Sequence, residues 1–418
     1  MNAESAVATP SLTWPDADFA KTPYRVFVDQ GIFDLEMERI FRGPTWSYLG
    51  LECEVANAGD YLTGYIGTTP VVLSRESDGA LSAFVNRCSH RGMQVVRELR
   101  GNRSEHICPY HQWSYDSGGR LQGVPFQKGA GGRGGLPADF QREKHGMTRL
   151  RVASLAGAVF GTLSDEAPSL EDYLGPAITA RMQYAFPKRL RVSGYHRNSL
   201  RTNWKLFAEN SRDAYHAPLL HPFLPAFGLM RSTDTGKVQT NREGYHSLIS
   251  VWSNKSGAAE SRGEASGRFT LKDPSLVRGF QEYADGLALN IISIFPSTLF
   301  TCVGNTLSVR QIRPKEPGRV ELLYTFFGFE DDTDEQRSMR RKQNNLFGPA
   351  GYVAIEDVEA LELIQSSIAR GEEKRTSVLS FGGTSRDETD HVLTDVSIRG
   401  FWRGYCGLMG FEPAAQAK

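Results

Sequence analysis

Two cysteines and two histidines stand at spacings that suit metal binding. Cys88 and His90 form the pattern C-x-H, and after seventeen intervening residues Cys108 and His111 form C-x-x-H. Two thiolates on one iron and two imidazoles on the other are the ligands of a Rieske [2Fe-2S] cluster, whose reduction potential exceeds that of an all-cysteine cluster. The four residues are therefore candidate cluster ligands.

A zinc ion is the alternative occupant, because two cysteines and two histidines suit zinc equally well. Zinc sites usually begin with C-x-x-C, however, and the step C-x-H is unusual for them. Short apolar runs and turn residues surround the motif, which favours a cluster clamped between two loops of a small β domain. His106 lies near Cys108 at the wrong spacing and is interpreted as a bystander.

A second group of candidate ligands is Asp213, His216 and His221, in the pattern D-x-x-H-x-x-x-x-H. The spacing predicts that Asp213 and His216 share one face of a helix that begins near Trp204. Pro218 should break this helix and let His221 fold back. Two histidines and one carboxylate form the triad of a non-haem iron(II) site with open positions for dioxygen and substrate. The carboxylate must come from elsewhere if Asp213 has another task.

The elements that must position these residues fall into two parts. A chain of 418 residues is too long for one core. We predict an α+β protein with an N-terminal arm and helix at 1–42 that pack with the catalytic domain, a small all-β cluster domain at 43–163, and a larger α+β iron domain at 164–418. Helices are predicted at Asp29–Arg42, Thr179–Phe186, Trp204–Tyr215, Asp332–Leu346 and Gly351–Arg370, and strands at Leu190–Tyr195, Leu289–Phe295, Leu307–Ile312 and Val320–Phe327.

Composition excludes several classes of protein. The formal net charge is zero, so no bulk field favours nucleic acid or an anionic membrane. No apolar run approaches the roughly 20 residues of a membrane span, and the N-terminus lacks the features of a signal peptide. We expect a cytoplasmic protein. Gly129, Gly131 and Gly134 match G-x-G-x-x-G, but no helix pattern follows, so we predict a surface loop and electrons that arrive from a partner.

From about Tyr24 to Gly410, the chain resembles the α subunits of Rieske aromatic-ring dioxygenases. The resemblance rests on the segments NRCSHRG at 86–92, CPYHQW at 108–113, NWK at 203–205, DAYH at 213–216 and FGPAG at 347–351. It implies a helix-grip (START-like) catalytic domain beside the Rieske domain. It also implies a ferredoxin or reductase as electron donor and a small β subunit, in an α3 or α3β3 assembly.

The resemblance also implies roles for single residues. Asp357, in the helix after the FGPAG segment, becomes the carboxylate ligand of iron, with the adjacent Glu356 as the rival. Asp213 becomes the bridge from His216 to His111 of a neighbouring subunit, which implies a head-to-tail trimer.

Within the family, the resemblance is closest to subunits that act on aromatic acids such as salicylate, anthranilate and terephthalate, and LQGVPF at 121–126, KDPSL at 272–276 and IRGFW at 398–402 carry it. Arg310 and Arg399 match positions that contact a carboxylate, which arginine binds with two hydrogen bonds. Asn210 is placed near the pocket, although it stands three residues before Asp213 where some members have four. The expected apolar wall is Ala217, Leu220, Ile292, Val309, Phe347 and Val353.

Two rival functions stay open. A Rieske monooxygenase or demethylase shares both metal motifs, and the number of oxygen atoms inserted does not follow from the motifs. A pure Rieske electron carrier is the rival from another class, and the intact set of His216, His221 and Asp357 argues against it.

Overall fold

The chain divides into two units that are not both continuous in sequence. A computed structural model describes residues 12–252, 264–265, 269–370, 375–383 and 385–414. Residues 41–173 form one unit, here the small unit, and residues 1–40 with 174–418 form the other, here the large unit. The start of the predicted arm, 1–11, and the last four residues lie outside the described residues. The small unit is thus an insertion into the sequence of the large unit.

Three antiparallel sheets make up the small unit, with orders β1-β10-β9, β4-β3-β2-β5 and β6-β7-β8. Tyr61, Phe84, Trp113 and Tyr115 pack around the two candidate cluster cysteines in its core. The strands are β1 Ser47–Leu51, β2 Asp60–Ile66, β3 Thr69–Arg75, β4 Leu81–Val85, β5 Arg100–Asn102, β6 Glu105–Ile107, β7 Ser114–Asp116, β8 Leu121–Gly123, β9 Arg151–Leu155 and β10 Ala158–Thr162.

An eight-stranded antiparallel sheet forms the large unit, in the order β11-β19-β18-β17-β16-β13-β12-β20, and a separate short pair joins β14 to β15. The strands predicted in this part are confirmed, three with wider bounds and the one predicted at Leu289–Phe295 with shifted bounds. The strands are β11 Leu190–Leu200, β12 Thr235–Thr240, β13 Ser247–Trp252, β14 Glu264–Ala265, β15 Phe269–Thr270, β16 Leu287–Ile294, β17 Thr298–Val303, β18 Thr306–Glu316, β19 Arg319–Phe329 and β20 Glu388–Thr389.

Eight α-helices lie in the described part of the chain, and none of them is both long and apolar enough to cross a membrane. The helices predicted near 179–186, 332–346 and 351–370 are confirmed with shifted ends. The helices are α1 Gln30–Glu36, α2 Leu170–Ala185, α3 Trp204–Asn210, α4 Ala217–Leu220, α5 Phe223–Ala226, α6 Asp334–Phe347, α7 Tyr352–Ile368 and α8 Val396–Met409.

A tight turn joins α6 to α7. Thr333 and Gln336 form a capping box that starts α6, and Asp334 adds negative charge to its first turn, which the helix dipole favours. At the start of α7, a Cβ on Gly351 would lie 1.9 Å from the carbonyl oxygen of Leu346, so only glycine fits. This turn explains the Gly-rich segment before α7.

The N-terminal helix is tied to the rest of the large unit by a buried carboxylate. Glu36 accepts hydrogen bonds from Trp204 Nε1 at 2.7 Å, from Lys205 Nζ at 2.6 Å and from the Tyr405 hydroxyl at 2.6 Å. A buried charge is tolerated only when it is paired and hydrogen-bonded. Three donors on one carboxylate meet that condition and hold α1, α3 and α8 together.

Candidate metal centres

The first cysteine loop of the small unit is a tight turn between strands. The amide of Cys88 donates to the carbonyl oxygen of Met93 at 2.7 Å, and the amide of Gly92 donates to the carbonyl oxygen of Cys88 at 2.9 Å. Gly92 has φ +76°, a left-handed conformation that glycine adopts without strain. His90 lies at the tip of this turn, two residues after the cysteine.

The second cysteine loop has the same backbone hydrogen bonds. Cys108 donates to the carbonyl oxygen of Trp113 at 2.8 Å, and Gln112 donates to that of Cys108 at 2.9 Å. Gln112, four residues after the cysteine as Gly92 is in the first loop, has φ +56°. His111 lies in this turn three residues after its cysteine. The two loops therefore share one type of turn, but the histidine stands at a different position in each.

The four side chains separate into an inner and an outer pair. Cys88 and Cys108 are buried, whereas His90 is exposed and His111 is partly exposed. The two imidazole ring centroids lie 4.6 Å apart, and His90 stacks on Trp113 at 4.8 Å. Two sulfur atoms inside and two imidazoles at the rim fit a cluster with one sulfur-ligated and one histidine-ligated iron.

A buried tyrosine contacts one of the sulfur atoms. The Tyr115 hydroxyl lies 3.2 Å from Sγ of Cys88 and accepts a hydrogen bond from the amide of Ser89 at 3.1 Å. A cysteine that ligates iron carries no proton, so Tyr115 is the donor to it. Hydrogen bonds to the sulfur atoms are one of the factors that set the potential of such a cluster.

The helix that precedes the second set of ligands is shorter than predicted. The Asn203 side chain accepts from the amide of Lys205 at 2.9 Å and caps α3, which ends at Asn210. Oδ1 of Asp213 accepts from the amides of Tyr215 and His216, both at 3.1 Å. The prediction that Asp213 and His216 share a helix is wrong, because this side chain takes amides that a helix would use.

Pro218 also behaves differently from the prediction. It lies in the first turn of α4, where proline is tolerated, and does not break a helix. His216 precedes α4 and His221 follows it, so this single turn sets the distance between the two histidines. Their ring centroids lie 5.4 Å apart.

Helix α7 brings a carboxylate to both histidines. Oδ1 of Asp357 lies 3.4 Å from Nε2 of His216 and 3.2 Å from Nε2 of His221. These three residues form a candidate metal group, with ligand atoms all within 4.8 Å of one another. Glu356, the rival carboxylate, lies instead 2.8 Å from Nδ1 of His221, on the other edge of the ring.

The electrostatics of this group suit a metal ion. Burial lowers the pKa of His216, but the carboxylates of Asp213 and Asp357 outweigh it and raise that pKa to about 10. Burial acts to raise the pKa of Asp357, whereas His216 and His221 hold that pKa well below its usual range. The three side chains therefore favour a positive charge at their centre, which a divalent cation bound by two imidazoles and a carboxylate would supply.

Asn210 lies beside the same atoms. Its Nδ2 donates to Oδ1 of Asp357 at 3.1 Å and lies 3.4 Å from Nε2 of His216. The side chain also lines a cavity beside these ligands. Asn210 is therefore placed at the candidate iron, where an amide can orient the carboxylate.

A cavity of about 460 Å³ opens beside the candidate iron ligands. Its walls are mostly apolar and come from the sheet and from the residues around α6 and α7. Ala217, Phe347 and Val353 line the cavity as predicted, whereas Leu220, Ile292 and Val309 are absent from the lining found. Ile292 and Val309 are plain core, with 0% and 1% of their surface exposed.

Arg310 supplies a cation to this cavity from β18. Its guanidinium lies 5.2 Å from the centroid of the Tyr324 ring, and Nη2 donates to the carbonyl oxygen of Phe347 at 3.3 Å. Nε of Arg310 is buried and has no hydrogen-bond partner among the described residues. A guanidinium with unused donors in an apolar cavity is suited to a carboxylate.

Arg399 is placed differently and does not line the cavity. Nη1 donates to the carbonyl oxygens of Leu379 and Phe381, both at 3.0 Å. Nη2 donates to those of Gly383 at 3.1 Å and Ser385 at 2.9 Å. The guanidinium thus holds the segment before α8. Of the two predicted carboxylate contacts, only Arg310 faces the cavity.

Sequence reasoning did not find several residues of the site. No sequence motif indicates the contact of Glu356 with His221. Tyr115 stands four residues after His111, but its contact with Cys88 was not predicted. Another part of the cavity lining comes from a segment with no recognisable pattern, Val277, Arg278, Gly279 and Phe280.

Two family models match the chain. The Rieske [2Fe-2S] domain matches residues 45–138, and the catalytic domain of ring-hydroxylating α subunits matches residues 187–391. The matches confirm the predicted fold class, an all-β Rieske domain with an α+β catalytic domain, and the two predicted iron cofactors.

Curated relatives cover nearly the whole chain. The large subunit of anthranilate 1,2-dioxygenase from Burkholderia cepacia is 43% identical over 404 residues, 95% of each chain. A terminal oxygenase α subunit of terephthalate 1,2-dioxygenase from Comamonas sp. is 41% identical over 412 residues, 97% of this chain and 99% of the relative. Naphthalene 1,2-dioxygenase from Rhodococcus sp., solved with bound indole, aligns with a TM-score of 0.79 at 26% identity, over 93% of this chain and 94% of that one.

Proposed function

The chain belongs to the large subunits of Rieske non-haem iron ring-hydroxylating oxygenases, and on that premise we propose that it hydroxylates the ring of an aromatic carboxylate. The co-substrate is dioxygen, and the electrons come from a separate ferredoxin or reductase. As in other large subunits of multicomponent oxygenases, the protein works in an oligomeric assembly.

Two sets of side chains are proposed to hold the two cofactors. Cys88, His90, Cys108 and His111 hold the Rieske cluster, and His216, His221 and Asp357 hold the iron. When bound, the cluster supplies single electrons and the iron activates dioxygen. The small unit at 41–173 and the Rieske match at 45–138 support a Rieske domain near 43–163.

The position of Arg310 in the cavity is the main support for the proposed substrate class. Its guanidinium lies in the cavity beside the candidate iron ligands, and its Nε has no partner among the described residues. A neutral arene would leave this cation unpaired in an apolar site, which is costly, whereas a carboxylate would pair with it. The two relatives above are named for anthranilate and terephthalate, which are aromatic acids.

The surrounding residues orient the substrate and exclude water. Phe347 and Val353 line the cavity with apolar surface against which a ring packs. Asn210 donates to Asp357 and so fixes the direction of that carboxylate. Arg310 lines the same cavity as His216, His221 and Asp357, so a substrate held by its carboxylate on Arg310 would lie in the cavity that contains the iron ligands.

Asp213 is proposed as the link to the electron source. Its Oδ2 lies 3.6 Å from Nδ1 of His216, on the edge of the ring that faces away from Asp357, and its side chain is 22% exposed. A partly exposed carboxylate beside a candidate iron histidine suits a bridge to His111 of a second copy. We propose a head-to-tail trimer, as α3 or with a small subunit as α3β3.

An anaerobic single-turnover assay tests the proposed function. The reduced, iron-loaded assembly would be mixed with salicylate, anthranilate, terephthalate and a neutral arene in turn, before oxygen is added. Mass spectrometry of the products counts the oxygen atoms inserted. We expect one of the acids to gain one or two oxygen atoms.

Two results would contradict the proposal. Turnover of the neutral arene alone would refute the substrate class and the role of Arg310. No product from any compound, with both metals bound and reduced, would favour the electron-carrier alternative.

A further inference from the structure

The two candidate iron histidines differ in what lies behind them. Nδ1 of His216 lies 3.6 Å from Asp213, beyond hydrogen-bond range, and Asp213 already accepts two backbone amides. Nδ1 of His221 lies 2.8 Å from Oε2 of Glu356. The His221 side chain is 2% exposed, against 21% for His216. The Nδ1 atom of His221 therefore has a close carboxylate partner, whereas that of His216 has none within hydrogen-bond distance.

We propose that Glu356 is a positioning residue for the iron site, which fixes the tautomer and the orientation of His221. The inference rests on the proposed function, because it takes His221 as an iron ligand. Residue spacing alone could not decide whether Glu356 or Asp357 is the iron ligand, and the inference gives Glu356 a separate role.

The reason lies in the chemistry of imidazole. A neutral ring carries one proton, on Nδ1 or on Nε2, and only the unprotonated nitrogen can bind a metal. A carboxylate at Nδ1 keeps the proton there and leaves the lone pair of Nε2 on the side of Asp357. Without Glu356, a proton on Nε2 would hydrogen-bond to Asp357 Oδ1, which lies only 3.2 Å away. That hydrogen bond would compete with the metal.

The geometry of α7 explains why two adjacent carboxylates take different tasks. Successive residues of an α-helix point about 100° apart, and Glu356 and Asp357 accordingly lie at different edges of the His221 ring. Asp357 is buried and faces the Nε2 atoms of both histidines, whereas Glu356 is 28% exposed and reaches Nδ1 of His221. One helix thus supplies a candidate ligand and the support for a second ligand.

Variants of Glu356 in the assembled, iron-loaded protein test the inference. Glu356→Gln keeps an acceptor for Nδ1 but removes the charge, and Glu356→Ala removes both. Glu359→Gln, an exposed change one turn along the same helix, is the matched control. Chelator competition measures ferrous iron affinity, and near-infrared magnetic circular dichroism reports the ligand field of the ferrous site. Neither measurement needs substrate or oxygen.

We expect Glu356→Gln to weaken iron binding about tenfold and Glu356→Ala toward a hundredfold, the range for lost support of a metal-binding histidine. The magnetic circular dichroism spectrum should change in both, while Glu359→Gln matches the unmodified protein. Unchanged affinity and spectrum in Glu356→Gln and Glu356→Ala would overturn the inference. If Glu356→Ala does not fold, Glu356→Gln decides alone. An unmodified protein that binds no iron would instead refute the proposed function itself.

Discussion

Nη2 of Arg310 donates a hydrogen bond to the carbonyl oxygen of Phe347 at 3.3 Å. Phe347 is the last residue of α6, and the turn through Gly351 leads directly into α7, which carries Asp357. The cation in the cavity is thereby tied to the backbone that positions a candidate iron ligand. A carboxylate bound to Arg310 would keep a fixed place relative to that ligand, which would fix the ring position that is hydroxylated.

Replacement of Arg310 should weaken the use of aromatic acids. Arg310→Met removes the cation and keeps most of the apolar stem. Hydrogen bonds to charged groups contribute about 1.5–3 kcal/mol, so we expect kcat/KM for the preferred acid to fall about 10- to 100-fold, mostly through KM. Steady-state kinetics with the acid and with a neutral arene of similar size measure the effect. Use of the arene should rise, because Arg310→Met no longer leaves an unpaired cation beside it.

Arg399→Met is the matched control for that prediction. Its guanidinium donates to four backbone carbonyls outside the cavity, so this change should lower the free energy of unfolding by roughly 2 kcal/mol. KM for the acid should stay within about twofold. A large rise in KM for Arg399→Met with no change for Arg310→Met would reverse the two roles.

Asp213→Asn should separate metal binding from turnover. The amide oxygen can still accept from the amides of Tyr215 and His216, so the turn should survive, but the negative charge is lost. We expect both metals to remain bound and steady-state turnover to fall more than about 100-fold, because electrons no longer cross to the iron. Metal analysis and rapid-freeze reduction kinetics check this. Normal turnover would remove Asp213 from the electron path.

Tyr115→Phe should lower the reduction potential of the cluster. The hydroxyl lies 3.2 Å from Sγ of Cys88 and favours the reduced cluster, whose sulfur atoms carry more negative charge. Loss of about 1 kcal/mol from the reduced state corresponds to a shift on the order of 40 mV for one electron. A spectroscopic redox titration measures the shift. An unchanged potential, with the cluster content preserved, would show that the contact does not influence the cluster.

Glu209 should make stability depend on pH. Burial and the carboxylates of Asp213 and Asp395 raise the pKa of Glu209 to about 8, against the effects of Trp402 Nε1 and Lys205. The folded state therefore holds a proton that the unfolded state loses near pH 4.5. This contribution to stability is complete below that pH and is lost as the pH rises toward 8.

Glu209→Gln isolates that dependence, because its amide oxygen can still accept from Trp402. We expect the stability of the unmodified protein to decline relative to Glu209→Gln by at most about 1.4 kcal/mol per pH unit between pH 5 and pH 8. Urea denaturation at several pH values measures the difference. Parallel curves for the two proteins would show that Glu209 is ionised in both states.

The candidate metal ligands were recognised from short-range patterns, because the geometry over two to five residues is set by a single turn. The two cysteine loops and α4 are turns of this kind. The long helices α6 and α7 also follow from local pattern, and a capping box supports the start of α6. The helix from Trp204 was predicted too long, because the side chain of Asp213 takes two amides and ends helical bonding, a competition that apolar spacing does not reveal.

Other features depend on contacts between distant parts of the chain. Glu356 and Asp357 are adjacent, so their spacing did not show which one lies at the iron. The positions of the histidines in the fold distinguish them. Arg399 could be taken for a substrate contact because its bonds to backbone carbonyls such as those of Leu379 and Ser385 cannot be read from the sequence. The pairing of Glu36 with Lys205 joins residues 169 positions apart and has no local pattern.

The buried Glu36 carboxylate has a consequence for the order in which the chain is completed on the ribosome. Its three donors follow it by 168, 169 and 369 residues. The whole of the small unit is therefore synthesised before the first of them emerges. The N-terminal helix must keep its carboxylate hydrated through that interval, since burial without partners is costly. Only when Tyr405, near the end of the chain, has been added can that helix find its last partner.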